Sequence, residues 1–412
     1  MPRMATTLRW VGEDEIDRVA ETRMRCYAHA AADLEKYREG IRADVRAKAG
    51  DFLIAERDGV PVGTSTALSM KMWVRGGVIP CQGVAFVGTV KTHRRRVAGE
   101  DGVGTQLMRE TLRMGRDRGA VVSALMPFRA SFYEHFGYGL VERRNEWTLP
   151  LGVLPSGDWE GVRFYQSSDL DELVQFRQRM VERGQCDIER PREAWEAAIK
   201  RTGGGFFLVD RPAVDGLVRG YLWIEHEKIG TKDYLRIVQN HYEDMDALRR
   251  QLHFLASLRD QYLAVVGAFP ADLPLNWLLK ETQLPHRHVN HPTAELRPQT
   301  RMQVRILDHK RFLESLRLKE QVVGKVVVSV RESEGHVSTF GMDINEGRIS
   351  VSSGLGSGDF SCSDHVWAAI ACGDLAANVA IQMGLARAET EQAAGLLDVL
   401  SVGGLPYCTE YF

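Results

Sequence analysis

The sequence predicts a mixed α/β (α+β) protein built as three consecutive units, over residues 1–150, 151–290 and 291–412. Three observations carry that expectation. Val84 to Gly139 reads as a strand, a basic glycine-rich loop, a helix, a second strand and an aromatic–glycine turn. Residues 206–224 echo, in weakened form, the earlier hairpin FLIAERDGVPVGTSTAL. After residue 293 the pattern changes to consecutive short strands followed by helices.

The elements follow in chain order. Leu8-Arg9-Trp10 reads as an opening strand, and Glu13 to Cys26 as a helix with Ile16, Val19 and Ala20 on one face. Asp33 to Lys48 is charge-rich and reads as an exposed helix. Phe52 to Glu56 and Val62 to Leu68 pair across Asp58-Gly59, a strong hairpin signal. Trp73 to Ile79 leads into the signature stretch, and a closing strand is expected near Trp147 to Leu149.

In the second unit, Asp169 to Arg183 echoes an early helix. Phe206 to Asp210 and Gly220 to Ile224 echo the hairpin. Tyr234 to Gln239 and Met245 to Tyr262 echo the later strand and helix. Asn240 to Asp244, between that strand and helix, has no glycine and no arginine. Residues 284–292, with three histidines between prolines, read as a linker rather than a metal site. In the third unit, Val326 to Arg331, Val337 to Asp343 and Arg348 to Ser352 read as strands. Asp364 to Cys372 and Leu375 to Met383 read as helices separated by Gly373. Gly354 to Gly358 lacks the Lys-Ser/Thr of a phosphate loop and reads as a strand-to-helix turn.

Bulk composition narrows the function. Apolar content of 44% and charged content of 26% are those of a soluble globular protein. A net charge of −2 gives no basic surface for nucleic acid or anionic membrane. Cys26, Cys81, Cys186, Cys362, Cys372 and Cys408 form no C-x-x-C, which fits reduced thiols in a cytoplasm. The start, MPRMATTLRW, lacks the apolar core of a signal peptide, and no apolar run reaches the ~20 residues of a membrane span.

The signature stretch carries the chemistry. Val84 to Val90 is an apolar run suited to a buried strand. His93-Arg94-Arg95-Arg96 follows, then Gly99, Gly102 and Gly104. Val103, Leu107 and Thr111 then mark one helix face. Glycines let the backbone approach an anion, and the helix start presents free N–H groups and a favourable dipole. Arginines add counter-charge.

This order of elements resembles the acyl-CoA-dependent GNAT N-acetyltransferase superfamily. Tyr133-Glu134-His135-Phe136-Gly137-Tyr138 fits its Tyr-x-x-x-Gly-Phe/Tyr segment. Its Arg-x-x-Gly-x-Gly/Ala loop is matched through Arg94, Gly102 and Gly104 once Val97 to Asp101 is taken as an insertion. The acidic pair Glu100-Asp101 in that insertion suits a phosphate site only if it points away. The fold class implied is tandem GNAT acyltransferase folds, the second degenerate, plus a C-terminal unit resembling the sterol carrier protein-like fold. Together with the tail Pro406-Tyr407-Cys408-Thr409-Glu410-Tyr411-Phe412, the whole chain resembles the enhanced intracellular survival (Eis) family.

The resemblance implies acetyl transfer from acetyl-CoA to primary amines, such as aminoglycoside-, polyamine- or lysine-like acceptors. It also implies a homo-hexamer, while the linker histidines and scattered cysteines on their own give no expectation of a metal. It places Tyr133 as general acid and the Phe412 carboxylate as base. Phe86, Val87, Thr89, Val90, Arg94, Arg95, Arg96, Gly102 and Gly104 are expected to hold the cofactor. Backbone N–H groups near Phe86, Val87 and Thr89 can stabilise the developing oxyanion. Asp33, Glu35 and Glu410 are candidate acids for the amine. The competing reading is a non-catalytic acyl-CoA or lipid-binding protein that retains the folds.

Overall fold

The computed structural model describes all residues except 1–4, 29–33, 49, 95–100, 201–205, 215, 284–292, 320, 354–355 and 357. The chain forms two compact units that exchange segments. The first contains Met1–Glu142, Gly184–Glu189 and Arg301–Phe412; the second contains Arg143–Arg183 and Arg190–Thr300.

The first unit opens with β1 (Thr7–Val11), α1 (Ile16–Tyr27), α2 (Leu34–Arg42), β2 (Phe52–Arg57) and β3 (Val60–Val74). It continues with β4 (Gly77–Thr89), α3 (Val103–Asp117), β5 (Val122–Leu125), α4 (Ala130–Glu134) and β6 (Gly139–Leu140). Asp58 and Gly59 at φ 50° and 73° close the β2–β3 hairpin, and Arg75 and Gly76 at 45° and 73° close the β3–β4 hairpin. Both φ values positive at a two-residue turn match the twist of the flanking strands. β1 to β4 are therefore a continuous antiparallel meander. α3 buries Val103, Leu107, Met108, Thr111 and Leu112, the face expected from their spacing, and lies against β3 and β4. The second predicted helix is shorter than its charge pattern suggested and ends at Arg42.

The strand β7 (Arg143–Pro150), expected to close this sheet, does not. It pairs antiparallel with Ala264–Pro270 and Glu295–Thr300 in the second unit. The vacated place between β5 and β6 is filled by Gln303–Ile306, antiparallel to both. Alternating apolar content marks a strand but not its partner, so chain order misplaced this one. The boundary near residue 291 is crossed in the same way: Glu295–Thr300 joins the second sheet and Gln303–Ile306 the first.

The C-terminal segment adds a five-stranded sheet in the order Arg348–Ser353, Val337–Asn345, Gly324–Arg331, Phe360–Ser363 and Ala386–Ala388. Helices Asp364–Ala371, Ala377–Gln382 and Glu391–Leu397 accompany it. Its core is continuous with the first sheet. Met72, Ile79, Cys81 and Val304 share one buried cluster with Val328, Phe360, Trp367 and Leu397. Gly139 allows the closest approach, because a Cβ there would sit 1.9 Å from the His365 carbonyl oxygen.

The second unit has a seven-stranded sheet in which Lys232–Tyr242 and Ala264–Pro270 run parallel. The expected hairpin echo is present as Phe206–Asp210 paired with Gly220–Ile229. Helices Leu170–Glu182 and Met245–Ser257 fall where predicted, the latter ending five residues earlier than Tyr262. Strand, helix and parallel strand recur in the same order as in the first sheet.

Candidate functional site

β4 is the strand around which the candidate site forms. Among the described residues it pairs with β5 only over Cys81–Gly83. Val84 to Thr89 therefore runs on with an edge that β5 does not cover. The β3 register shifts between Thr64, opposite Gly88, and Thr66, opposite Ala85, so Ser65 faces two residues of β4. Phe86, at φ 52°, is one of that pair. This is a β-bulge, which takes a residue out of the ladder and re-aims its neighbours. Its left-handed backbone is unusual for a bulky side chain and marks local strain.

The bulge is held from the α1 side. The Arg23 guanidinium lies 3.9 Å from the Phe86 ring centroid and donates to Thr66 Oγ1 at 2.7 Å. Arg23 is buried, and burial lowers its pKa to about 10 against the opposing effect of Asp44. The Tyr27 ring meets Phe86 edge-on at 6.5 Å. Burial raises the Tyr27 phenol well above its ordinary range, and pushes the neighbouring Cys26 thiol up to about 11. Arg23 and Tyr27 were not singled out in the sequence. Their i, i+4 spacing puts them on one helix face, but nothing local says that the face meets a bulge.

On the α3 side, Tyr133 belongs to a cluster with Val84, Met108, Leu112, Leu125 and Tyr138, with Val87 and Phe132 packed against it. Tyr133 is 5% exposed, and burial pushes its pKa up to about 12. Among the described residues no group hydrogen-bonds its hydroxyl, whereas the Tyr138 hydroxyl is 2.7 Å from Ser123 Oγ. The two tyrosines of the motif thus differ: the Tyr138 hydroxyl is tied into the core, and that of Tyr133 has no hydrogen-bond partner among the described residues.

The helix start completes this side. Gly102 is the extended N-cap of α3 and supplies no side-chain cap, so the first N–H groups of the helix remain available. A Cβ on Gly104 would lie 3.5 Å from Phe132 Cζ and 3.7 Å from Thr89 Oγ1, so the helix start adjoins both the end of β4 and α4. Val90 is buried and donates its N–H to Val62. Arg94 is exposed after a short turn, Lys91–His93. Arg95 and Arg96 lie outside the described residues, as do Val97 to Glu100 of the insertion and the linker histidines. Asp101 forms an ion pair with Arg109, further along α3.

Phe412 lies on the opposite face of β4. A methyl placed on Gly83 would sit 3.1 Å from Phe412 Cδ2 and 2.6 Å from Met70 Cε. Val84 packs towards Tyr133, and successive residues of a strand face opposite ways. Tyr133 and Phe412 therefore flank the same strand from its two sides. Of the candidate acids, Asp33 is outside the described residues. Glu35 sits on the exposed α2, paired with Arg38 and Arg42. Glu410 is 1% exposed and its carboxylate is engaged by Arg46 at 2.5 Å.

The corresponding place in the second unit is built differently. The strand Lys232–Tyr242 carries its own register shift opposite Trp223 and Ile224. The helix Met245–Ser257, however, begins with Asp244, whose Oδ1 accepts the Ala247 N–H at 2.8 Å. Glu243 is paired with Arg183 and Arg219. A helix start capped by a carboxylate has one donor already taken and a negative charge that opposes a phosphate.

A cavity of about 330 Å³ elsewhere in the first unit is lined by Arg116, His309, Glu332, Glu334, His336 and Ser338. Ligand atoms of Glu332, Glu334 and Asp364 approach within 4.8 Å of one another. Arg116 and Arg305 pair with Glu334, and His309 with Glu332, while Asp364 accepts the Ser333 N–H. These acids thus already have partners within the protein, and the cluster lies away from β4.

Residues 7–141 and, separately, 186–306 match family models described as acetyltransferase (GNAT) domains. An uncharacterized N-acetyltransferase from Streptomyces avermitilis is 32% identical over 95 residues. That match spans 22% of this chain and 22% of the relative. A GCN5-related N-acetyltransferase structure from Anabaena variabilis superposes with TM-score 0.84 at 18% identity, covering 99% of this chain and 100% of that one. Eis1 from Mycobacterium abscessus superposes with TM-score 0.78 at 16% identity, covering 99% and 100%. These two likenesses are of fold.

Proposed function

The chain carries two GNAT acetyltransferase domains, and on that premise we propose that the first is an N-acetyltransferase acting on a primary amine with acetyl-CoA as co-substrate. The observation that carries this reading is the uncapped start of α3 beside the uncovered edge of β4, with Tyr133 between them. The residues present fit the cofactor. Val103 and Gly104 N–H groups suit its phosphates, with Arg94, Arg95 and Arg96 as counter-charges. The edge of Val84 to Thr89 offers strand-like hydrogen bonds to an amide-bearing arm. Bound acetyl-CoA supplies the acyl thioester.

The chain's own groups then have distinct tasks. N–H groups at the Phe86–Val87 bulge face the carbonyl oxygen as negative charge develops on it. The amine nitrogen bonds to the acyl carbon and the carbon–sulfur bond breaks. Tyr133, kept protonated by a pKa of about 12, donates its phenolic proton to the leaving thiolate and regains one, through water, from the acylated nitrogen as it becomes the amide. The Phe412 carboxylate would bind the incoming ammonium and assist loss of its proton. An α-carboxyl ionises near ~3.3–3.7, so it acts mainly as counter-ion and through water.

Acetyl-CoA consumption against a panel of aminoglycosides, polyamines and lysine derivatives tests the assignment. Turnover with at least one amine is expected, and binding without turnover across the panel would favour the non-catalytic alternative. Two further features rest on family resemblance: a homo-hexamer, and a sterol carrier protein-like fold for the C-terminal sheet. Light scattering that finds a monomer at micromolar concentration would remove the first.

A further inference from the structure

We propose that Arg301 and Arg46 are positioning residues which, with Glu142 and Asp187, lock residues 407–411 in register and so deliver Phe412 to β4. The proposal rests on the reading of the Phe412 carboxylate as the amine's counter-ion. It goes beyond that reading by naming what holds the group in place.

The end of a chain is ordinarily poorly ordered unless something ties it down. Here each residue from Tyr407 to Tyr411 has a backbone group with a partner. The Tyr407 N–H donates to the Gln185 carbonyl at 2.9 Å. The Cys408 N–H donates to Glu142 Oε1 at 3.3 Å, and the Thr409 N–H to Asp187 Oδ1 at 3.2 Å. Arg301 donates to the Cys408 and Glu410 carbonyls at 3.1 and 2.9 Å, using both ends of its planar fork. Arg46 holds the Glu410 carboxylate and reaches the Tyr411 carbonyl at 3.4 Å. Cys408, Thr409 and Glu410 are buried by this packing.

Two features make this a register lock rather than a general anchor. The donors and acceptors address successive residues, so a slip by one position breaks all of them together. The endpoint is Gly83, where the missing side chain leaves room for Phe412 and Met70. The holding groups are also distinctive in chain position. Glu142, the Gly184–Glu189 segment and Arg301 each border a point where the chain leaves or re-enters the first unit.

The test uses the 412-residue protein and two variants, Arg301→Ala and the double variant Arg46→Ala/Glu410→Gln. The second removes an ion pair without leaving a buried charge, so it is expected to disturb folding less than the loss of one partner alone. Hydrogen–deuterium exchange of the Tyr407, Cys408 and Thr409 amides is measured beside steady-state kinetics. Each folded variant should exchange these amides at least tenfold faster. Each should lose about tenfold in kcat, with the acetyl-CoA KM within twofold of wild type. Arg301→Lys, which keeps one donor to the segment, should recover part of both. Unchanged exchange, or faster exchange with normal kcat, overturns the proposal. Amidation of Phe412 separates the two readings. If amidation is silent but the clamp variants lose kcat, the carboxylate reading fails and the clamp stands. If amidation abolishes turnover while the clamp variants are normal, the clamp fails.

Discussion

Tyr133 and Tyr138 come from one motif, yet only the surroundings assign them different work. Ser123 holds the Tyr138 hydroxyl, while that of Tyr133 has no protein partner among the described residues. Tyr133→Phe should therefore lower kcat on the order of a hundredfold, the usual range for a general acid, and leave acetyl-CoA binding intact. The pH dependence has a defined sign. Burial raises the Tyr133 pKa from 10 to about 12, so the folded state keeps a proton that the unfolded chain loses first. The contribution of this group to stability is complete below pH 10 and is lost as pH rises from about 10 to 12. Alkaline thermal denaturation of wild type and Tyr133→Phe should diverge in that window, with the wild type losing more. No decline in turnover from tyrosine ionisation is expected below about pH 11.

Helices start on opposite terms in the two copies of the fold. α3 starts at a glycine that offers no cap, and Met245–Ser257 starts at an aspartate that caps itself. Titration calorimetry with acetyl-CoA should accordingly give one site per chain, and two equivalent sites would contradict the difference. Asp244→Ala should destabilise the second unit by about 1 kcal/mol, the usual worth of an N-cap, and leave the acetyl-CoA KM unchanged. A raised KM would mean that the second copy takes part in cofactor binding. In strand β4 the hairpin is local, whereas the bulge depends on register with β3; together they set an edge that β5 does not cover next to the helix start.

At the scale of the molecule, strand exchange decides what can fold. The first sheet needs Gln303–Ile306 between β5 and β6, and its core continues into the C-terminal sheet. Residues 1–150 expressed alone lack that strand and expose Val122, Ala124 and Val141, which are buried in the whole protein. They should show no cooperative thermal transition by circular dichroism. A cooperative melt of this fragment would mean that the first sheet closes without the later strand.

Much was determined by the sequence itself, and for local reasons. Asp58-Gly59 specifies a turn, residues 103–112 specify one helix face, and Tyr133 to Tyr138 form a contiguous motif. Each is a matter of periodicity or of neighbours within a few positions. The glycine-free stretch Asn240 to Asp244 likewise marked the second copy's loop as different, and the helix after it does start at a capping aspartate. What only the tertiary structure decided is which distant segments meet. An apolar alternation does not encode its partner, so Trp147 to Leu149 was legible as a strand and illegible as a member of the other sheet. Glu410 was visible as an acid but not as one engaged by Arg46, and Asp101 as a charge but not as one turned to Arg109. The bulge at Phe86 and the guanidinium of Arg23 beneath it depend on register and on helix docking. Both are long-range outcomes that a single chain, read in order, does not display.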